Sequence, residues 1–316
     1  MKTTERASKG RSLTARGSGL LAGIAMVLAF GGMAFAQGAT QGDARTAGIG
    51  LIEFVQLSDT HWGFNNPKVN PDFQGTLTKA LMSVNALPDP LDFIIFTGDE
   101  THGTATEAVR RQRMGEFKAI ASQLHAPTVY YLPGEHDSSF DAAKDYMEFF
   151  GQTHYAFTLK GVTFIALDNV TFGDGTLGDD QLAWLSGVLS KIQDKKAPLV
   201  LFAHRPLMPV YAKWGWMTDD GARALDLLKP FSNVTLFYGH IHQLRKDSSG
   251  SFTQYAAQGM MFPLPAPGST DKPDPVVWDP SAPYRGLGFR VVKLDLASGE
   301  LSVQDYSVDG RKVGRP

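Results

Sequence analysis

The chain of 316 residues contains no cysteine, which excludes disulfide bonds, thiolate metal sites and cysteine nucleophiles. It also lacks an internal repeat of about 20 to 50 residues and any run of heptads, so solenoids and coiled coils are excluded. The composition is that of a globular protein, with 43% hydrophobic and 20% charged residues. A chain of this size can bury one large core or two small ones.

The first residues differ in composition from the rest of the chain. A basic start is followed by the apolar run Leu20–Phe30 and by the small residues Ala34-Phe35-Ala36 before Gln37. This order is typical of a secretory signal peptide in residues 1–36, and the apolar run is short for a membrane span. We expect cleavage after Ala36, which leaves residues 37–48 as a flexible leader rich in Gly, Ala and Thr. The alternative is an uncleaved N-terminal anchor.

Cleavage would leave an acidic chain without a stable membrane span. Residues 1–36 carry five basic residues and one acidic residue, so their removal changes the formal net charge from −2 to −6. Long nucleic acids are held mainly by neutralisation of their phosphates, which an acidic chain without a basic patch does poorly. The sequence therefore predicts a periplasmic or secreted protein that does not bind long nucleic acids.

After the leader, apolar patterns predict alternating strands and helices, followed by antiparallel strands. The predicted strands are Ile52–Leu57, Phe93–Phe96, Thr128–Leu132, Tyr155–Leu159, Val162–Leu167, Leu199–Phe202, Val234–Phe237, Phe252–Ala257 and Phe289–Leu294. The predicted helices are Thr76–Leu87, Thr106–Leu124, Ala142–Phe150, Asp180–Ile192 and Asp220–Leu228. This mixture predicts two packed, mixed sheets with helices outside, in an α/β (α+β) fold. Residues 49–316 are expected to form one domain, because a strand pattern resumes after the Pro-rich loop Pro263–Pro283.

Five short motifs carry the chemistry of the sequence. They are Asp59-Thr60-His61, Gly98-Asp99-Glu100, Gly134-Glu135-His136-Asp137, Ala203-His204-Arg205-Pro206 and Gly239-His240-Ile241-His242. Five of the eight histidines fall in these motifs, and almost every motif follows a predicted strand. Loops at strand ends are where open α/β sheets keep their active sites. Histidine and aspartate side chains suit one or two cations of the zinc, manganese or iron kind.

The ordered motifs resemble those of the calcineurin-like metallophosphoesterase superfamily, especially its secreted bacterial members and its cyclic-nucleotide phosphodiesterase-like branch. The resemblance covers about Phe54 to His242, and Gly-His-x-His after a strand is its most specific part. It implies a four-layer αββα sandwich and two divalent or trivalent ions of manganese, iron or zinc. It also implies hydrolysis of small phosphodiesters or phosphomonoesters, cyclic nucleotides among them, by a hydroxide that bridges the two metals.

The resemblance assigns a role to each metal-ligand position. The first metal would be held by Asp59, His61 and His242, and the second by His204 and His240. Asp99 would bridge the two ions, because neighbouring cations need a shared anion between them. His136 would protonate the leaving group or steady the transition state, with Asp137 orienting it.

Glu135 departs from the pattern of the family, which usually has Asn at this position. A carboxylate there can ligate the second metal, adding negative charge and reducing the Lewis acidity of that ion. The alternative is that Glu135 points away, which would leave a one-metal or inactive site. Glu100, which directly follows Asp99, is also unusual for the family, and it is expected to face away from the metals because adjacent strand residues alternate. His102 could lie near the pocket, but it is interpreted as structural.

Aromatic residues after the His204 motif suggest a substrate-binding loop. Tyr211, Trp214 and Trp216 could form a lid or a stacking platform, and Arg205 could meet a phosphate. The alternative is a loop that packs its own small core. The leading hypothesis is thus a metal-dependent phosphoesterase for a small phosphate ester. The competing hypothesis, a non-catalytic metal-binding or partner-binding protein on the same fold, gives His136 no role.

Overall fold

The computed structural model describes residues 50–172 and 175–314. The predicted signal peptide, residues 1–36, and the leader, residues 37–48, lie outside the described residues. Among the described residues, no helix has the length and apolar character needed to cross a membrane.

The first sheet contains six strands in the order β12-β11-β10-β1-β2-β3. Its strands are β1 (Leu51–Leu57), β2 (Phe93–Thr97), β3 (Val129–Leu132), β10 (Gly288–Asp295), β11 (Leu301–Ser307) and β12 (Lys312–Val313). β1, β2 and β3 are mutually parallel, whereas β10 runs antiparallel to β1. The three parallel strands therefore deliver their C-terminal ends to one edge of the sheet.

The second sheet also contains six strands, in the order β4-β5-β6-β7-β9-β8. Its strands are β4 (Tyr155–Leu159), β5 (Val162–Ala166), β6 (Leu199–Phe202), β7 (Val234–Tyr238), β8 (Arg245–Ser249) and β9 (Phe252–Ala256). β5, β6, β7 and β9 are parallel, and β4 and β8 are antiparallel strands at the two edges. Both sheets are mixed, as predicted.

Helices cover the outer faces of the two sheets. The covering helices are α1 (Phe73–Asn85), α2 (Glu107–Ala121), α5 (Gly178–Ser190) and α6 (Gly221–Leu228), and the short helices α3 (Glu135–Ser138) and α4 (Lys144–Phe150) follow β3. One core joins α1 and α2 to the first sheet, and another joins α5 and α6 to the second. A third core lies between the sheets. These layers confirm the predicted fold of two mixed sheets flanked by helices.

The core between the sheets is rich in aromatic side chains from facing strands. Phe54 stacks on Phe93 with 4.7 Å between ring centroids, and it meets Phe202 edge-on at 5.7 Å. All five residues of β2 are buried, as expected for a parallel strand covered on both faces. The continuous apolar run that predicted this strand thus reflects its position inside the sandwich.

The local sequence pattern does not predict β8, β11, β12 or α3. β8 is the polar segment Arg245–Ser249, which forms a strand because it pairs with β9 at the edge of the sheet. β11 is held by β10 on one side and by β12 on the other. These strands depend on neighbours that the local pattern does not show.

Candidate metal centre

All five motifs meet where the parallel strands of the two sheets end. Asp59 and Asp99 follow β1 and β2, and Glu135 opens α3 just after β3. His204 and His240 follow β6 and β7 of the other sheet. The two sheets therefore face each other at this edge and place their ligand-type side chains in one buried site.

The first cluster consists of Asp59, His61 and His242, all of which are buried. Nε2 of His242 lies 3.1 Å from Oδ1 of Asp59 and 3.3 Å from Nε2 of His61. The three residues come from β1 and β7 loops that are far apart in the sequence, and together they could hold a metal ion.

The second cluster consists of Glu135, His204 and His240. Oε2 of Glu135 lies 3.0 Å from Nε2 of His204, and Oε1 lies 2.9 Å from Nδ1 of His240. The carboxylate thus points into the site between two imidazoles. This geometry disagrees with the alternative in which Glu135 points away.

Asp99 lies between the two clusters. Its Oδ2 is 3.5 Å from Nε2 of His61 in the first cluster and 3.5 Å from Nε2 of His204 in the second. Its Oδ1 accepts a hydrogen bond of 2.9 Å from the backbone amide of His136. One oxygen is therefore held by the protein backbone, and the other faces both clusters.

Backbone carbonyls orient two of the imidazoles. Nδ1 of His204 lies 2.8 Å from the carbonyl oxygen of Thr97, and Nδ1 of His242 lies 2.6 Å from that of Phe262. Because a carbonyl only accepts, each Nδ1 carries a proton, and when the imidazole is neutral its Nε2 presents a lone pair to the cluster. This is the tautomer that a metal ligand needs.

The backbone at the site adopts an uncommon conformation. Five ligand-type residues have φ between +41° and +63°, namely Asp59, His61, Asp99, His240 and His242. Such left-handed conformations of non-glycine residues cost about 1–3 kcal/mol each and collect at functional sites. Gly98 (φ +95°) also allows close approach, because a Cβ there would collide with Nδ1 of His204.

The imidazoles stabilise the charges of the buried carboxylates. Burial alone would raise the pKa of Glu135, but His240 and His204 outweigh burial and hold that pKa well below its usual value. For Asp99, burial and the Glu135 charge raise the pKa, but His204 and other imidazoles have the larger effect. The pKa of Asp99 therefore lies below its usual value. Burial also raises the pKa of Asp59, but His242 and His204 outweigh burial and hold that pKa below its usual value. The site therefore concentrates negative charge that positive charge must balance.

These residues fit metal ions. Nε2 of His204 and Oε2 of Glu135 are buried without a hydrogen-bond partner among the described residues. Two ligands at right angles around one ion, each about 2.1 Å from it, lie about 3 Å apart. The closest ligand-atom separations within the two clusters are 2.9–3.3 Å. Nitrogen and carboxylate donors without thiolate suit zinc, manganese or iron.

His136 stands beside the first cluster. Its ring lies 4.8 Å from that of His61, edge to face, and stacks on His102 at 4.9 Å. The backbone amide of Gly103 donates to its Nδ1 over 3.1 Å. A neutral His136 that accepts at Nδ1 carries its proton on Nε2, where it can donate.

Two further residues belong to this region although the sequence did not predict either of them as a ligand or catalytic residue. Nδ1 of His102 lies 3.5 Å from Nδ1 of His61, so the interpretation of His102 as merely structural understates its position. Phe262 stacks on His61 at 4.8 Å and on His242 at 4.7 Å. No spacing signal links Phe262 to these motifs, because only tertiary structure brings it there.

Asp137 does not orient His136 in the structure. Its carboxylate accepts hydrogen bonds from the backbone amides of Glu100, Thr101 and Gly134 at 2.8–3.0 Å, and from the Thr101 hydroxyl. It therefore ties the loop after β2 to the loop after β3. The expected partnership is corrected to this backbone role, because the amides occupy the carboxylate.

The aromatic loop corrects a second expectation. Trp216 is only 1% exposed and belongs to the core beneath the second sheet, so it offers no stacking face to a substrate. Trp214 meets Trp216 at 5.0 Å and Tyr211 at 5.0 Å, both edge to face. Trp216 thus packs in a core, as the alternative expected, whereas a substrate role for the partly buried Tyr211 and Trp214 stays a prediction. Arg205, by contrast, does reach the second cluster, with Nε 3.7 Å from Oε2 of Glu135.

Sequence comparisons relate the chain to known phosphoesterases. The family model for calcineurin-like phosphoesterase matches residues 52–244. The chain is 28% identical over 203 residues to the probable glycerophosphodiester phosphodiesterase GpdQ of Arcobacter nitrofigilis, covering 60% of this chain and 71% of that protein. It is 29% identical over 163 residues to a probable cyclic nucleotide phosphodiesterase of Fibrobacter succinogenes, covering 49% of this chain and 57% of that protein.

Solved structures share the fold at lower identity. A dimetal phosphatase from Danio rerio superposes with a TM-score of 0.57 at 14% identity, covering 82% of this chain and 96% of that chain. GAP50, the anchor in the inner membrane complex of Plasmodium, has a TM-score of 0.54 at 13% identity, covering 82% of this chain and 85% of that chain. At these identities the likeness concerns the fold alone.

Proposed function

The chain belongs to the calcineurin-like phosphoesterase family and is a hydrolase of phosphoester bonds, and on this premise we propose that it cleaves small phosphodiesters with two bound metal ions. The position of Asp99 carries the proposal, because its Oδ2 faces both ligand clusters at 3.5 Å. Both curated relatives are named as phosphodiesterases, which favours diesters over monoesters as substrates.

Each cluster would hold one ion of manganese, iron or zinc. Asp59, His61 and His242 would hold the first, and Glu135, His204 and His240 the second, with Asp99 shared. When bound, such ions lower the pKa of a water nucleophile and polarise the phosphoryl oxygens of an ester.

His136 would act as the proton donor of the reaction. Its Nδ1 is occupied by the Gly103 amide, so its Nε2 is left to protonate the departing oxygen of the ester. Asp137 supports this arrangement indirectly, by holding the backbone of the loop from which His136 projects. An alcohol or a nucleoside hydroxyl is a poor leaving group, and its expulsion requires such a proton.

The proposal is tested by hydrolysis with the full chain after metal is removed and restored. Bis(p-nitrophenyl) phosphate and p-nitrophenyl phosphate compare diester with monoester, each with manganese, zinc or iron added. Glycerophosphodiesters and cyclic nucleotides then compare the two substrate classes named for the relatives. We expect metal-dependent turnover that is faster for the diester. Faster turnover of the monoester would refute the diester proposal, and no turnover of any ester would favour a non-catalytic metal-binding or partner-binding protein.

We also propose that the chain is exported and cleaved after Ala36. The basic start, the Leu20–Phe30 run and Ala34-Phe35-Ala36 support this proposal. Mass spectrometry of the periplasmic fraction should find Gln37 at the N-terminus. A cytosolic protein that retains Met1 would refute export, and a membrane-bound protein that retains it would favour an uncleaved anchor.

A further inference from the structure

Arg205 and Glu135 lie side by side at the second cluster. Nε of Arg205 is 3.7 Å from Oε2 of Glu135, and the two side chains are 14% and 25% exposed. Both atoms are buried, and neither has a hydrogen-bond partner in the part of the chain that the structure describes. The separation exceeds a hydrogen bond, so the attraction between them is that of two opposite charges.

The backbone of Arg205 is fixed in this position. The side chain of Asn169, which is fully buried, accepts from the Arg205 amide over 3.2 Å and donates to the Arg205 carbonyl over 2.9 Å. Asn169 also donates to the Thr218 hydroxyl over 2.7 Å. Because Arg205 directly follows the ligand-type residue His204, this clamp fixes the backbone from which the Arg205 side chain reaches the second cluster.

The charges at the site explain why an arginine belongs there. Asp59 and Asp99, which are buried, and Glu135, which is partly buried, place three carboxylates around the two clusters, and Glu135 is the one that Arg205 approaches. A third carboxylate increases the attraction for cations and decreases the attraction for an anionic ester. A guanidinium beside that carboxylate offsets one negative charge and reverses both effects.

We propose that Arg205 is the fixed counter-ion of Glu135, so that the pair sets the metal affinity of the second cluster and its tolerance for an anionic substrate. The inference rests on the proposed function, since it assumes that Glu135 ligates a metal ion. It replaces the expectation that Arg205 binds the substrate phosphate directly. Arginine in a direct phosphate contact acts through its two-pronged geometry, whereas a counter-ion acts through its charge.

The experiment measures manganese binding to the metal-free full chain by titration calorimetry, without substrate. Arg205→Gln should lower the dissociation constant of the manganese ion at the second cluster about tenfold. A charge within about 4–6 Å of a ligand carboxylate changes its binding equilibrium by at least that factor. Glu135→Asn should raise that dissociation constant by a similar factor, and the double variant should return to within about threefold of the wild type. Arg205→Lys retains the charge and should stay near the wild type. Lys213→Gln removes an exposed positive charge from the next loop and is the matched control, with no expected change.

Substrate kinetics at saturating metal separate the two roles of Arg205. A counter-ion predicts that the KM raised by Arg205→Gln falls again in the double variant with Glu135→Asn. A direct phosphate ligand predicts that KM stays high in the double variant and in Arg205→Lys, with manganese binding unchanged in Arg205→Gln; that result would overturn the pair. A wild-type chain that binds no manganese, zinc or iron would instead overturn the proposed function. Circular dichroism and thermal melting of each variant check that it is folded.

Discussion

Replacement of His136 by alanine is the most direct probe of the proposed chemistry. The ring lies beside the first cluster, 4.8 Å from His61, but its Nδ1 is engaged by the amide of Gly103. Truncation therefore removes the Nε2 proton donor and leaves the carboxylate and imidazole clusters in place. We expect His136→Ala to retain its metal ions while turnover falls.

The size of the loss follows from what the ring supplies. A positioned general acid contributes about 10²–10⁴-fold in rate, which corresponds to about 2.7–5.4 kcal/mol of transition-state stabilisation. The variant also frees the Gly103 amide, which is only partly buried, so its cost in folding stability is at the lower end of about 1–3 kcal/mol. The loss in turnover should thus greatly exceed the loss in stability.

The assay compares a series of diesters whose leaving groups differ in basicity, at saturating metal. The turnover of His136→Ala should fall about a hundredfold or more for alkyl leaving groups and much less for p-nitrophenolate, which departs without a proton. His136→Gln is a matched variant, since its amide oxygen can accept from Gly103 but supplies no titrating proton.

Three results would refute the proton-donor role. One is an equal loss for good and poor leaving groups, and the second is full rescue by His136→Gln, which would show that the ring only positions the loop. The third is loss of one metal equivalent in His136→Ala. That loss would make His136 a ligand, a role its position near Asp99 and Glu135 also permits.

Other variants test the bridging role of Asp99, the packing of Trp216 and the stability of the fold at acid pH. Asp99→Asn should lose bound metal and activity because the two clusters lose their shared anion; two retained equivalents with full turnover would contradict this. Trp216→Ala should lower the free energy of unfolding in urea by about 3–5 kcal/mol with an unchanged KM, whereas a raised KM at unchanged stability would restore a substrate role. Burial raises the pKa of Asp145, but hydrogen bonds from Arg111 and Arg110 outweigh it and hold that pKa below its ordinary 3.8. The stability from Asp145 is therefore present above about pH 3.8 and lost below it, so Asp145→Asn should flatten the acid limb of a stability–pH curve measured by thermal melting.

Much of the architecture was determined by local sequence. Apolar runs such as Phe93–Phe96 and Leu199–Phe202 predicted buried parallel strands, because strands covered on both faces have no polar face. The motifs that follow these runs predicted that Asp99 and His204 lie at strand ends. The chemistry of the side chains, with no cysteine in the chain, restricted the donor set to nitrogen and carboxylate oxygen. These inferences succeeded because each depends on residues close together in the chain.

Only the tertiary structure decided which distant groups meet. The strand ends of two sheets had to face each other before Oδ2 of Asp99 could lie 3.5 Å from His61 and from His204. The same packing directs the Glu135 side chain toward His204 and Arg205 in the second cluster. It also buries Trp216 in a core. Side-chain direction depends on how whole layers pack, and local sequence carries no information about the layer opposite. For that reason the sequence identified the ligand-type residues, whereas the fold determined how they are grouped.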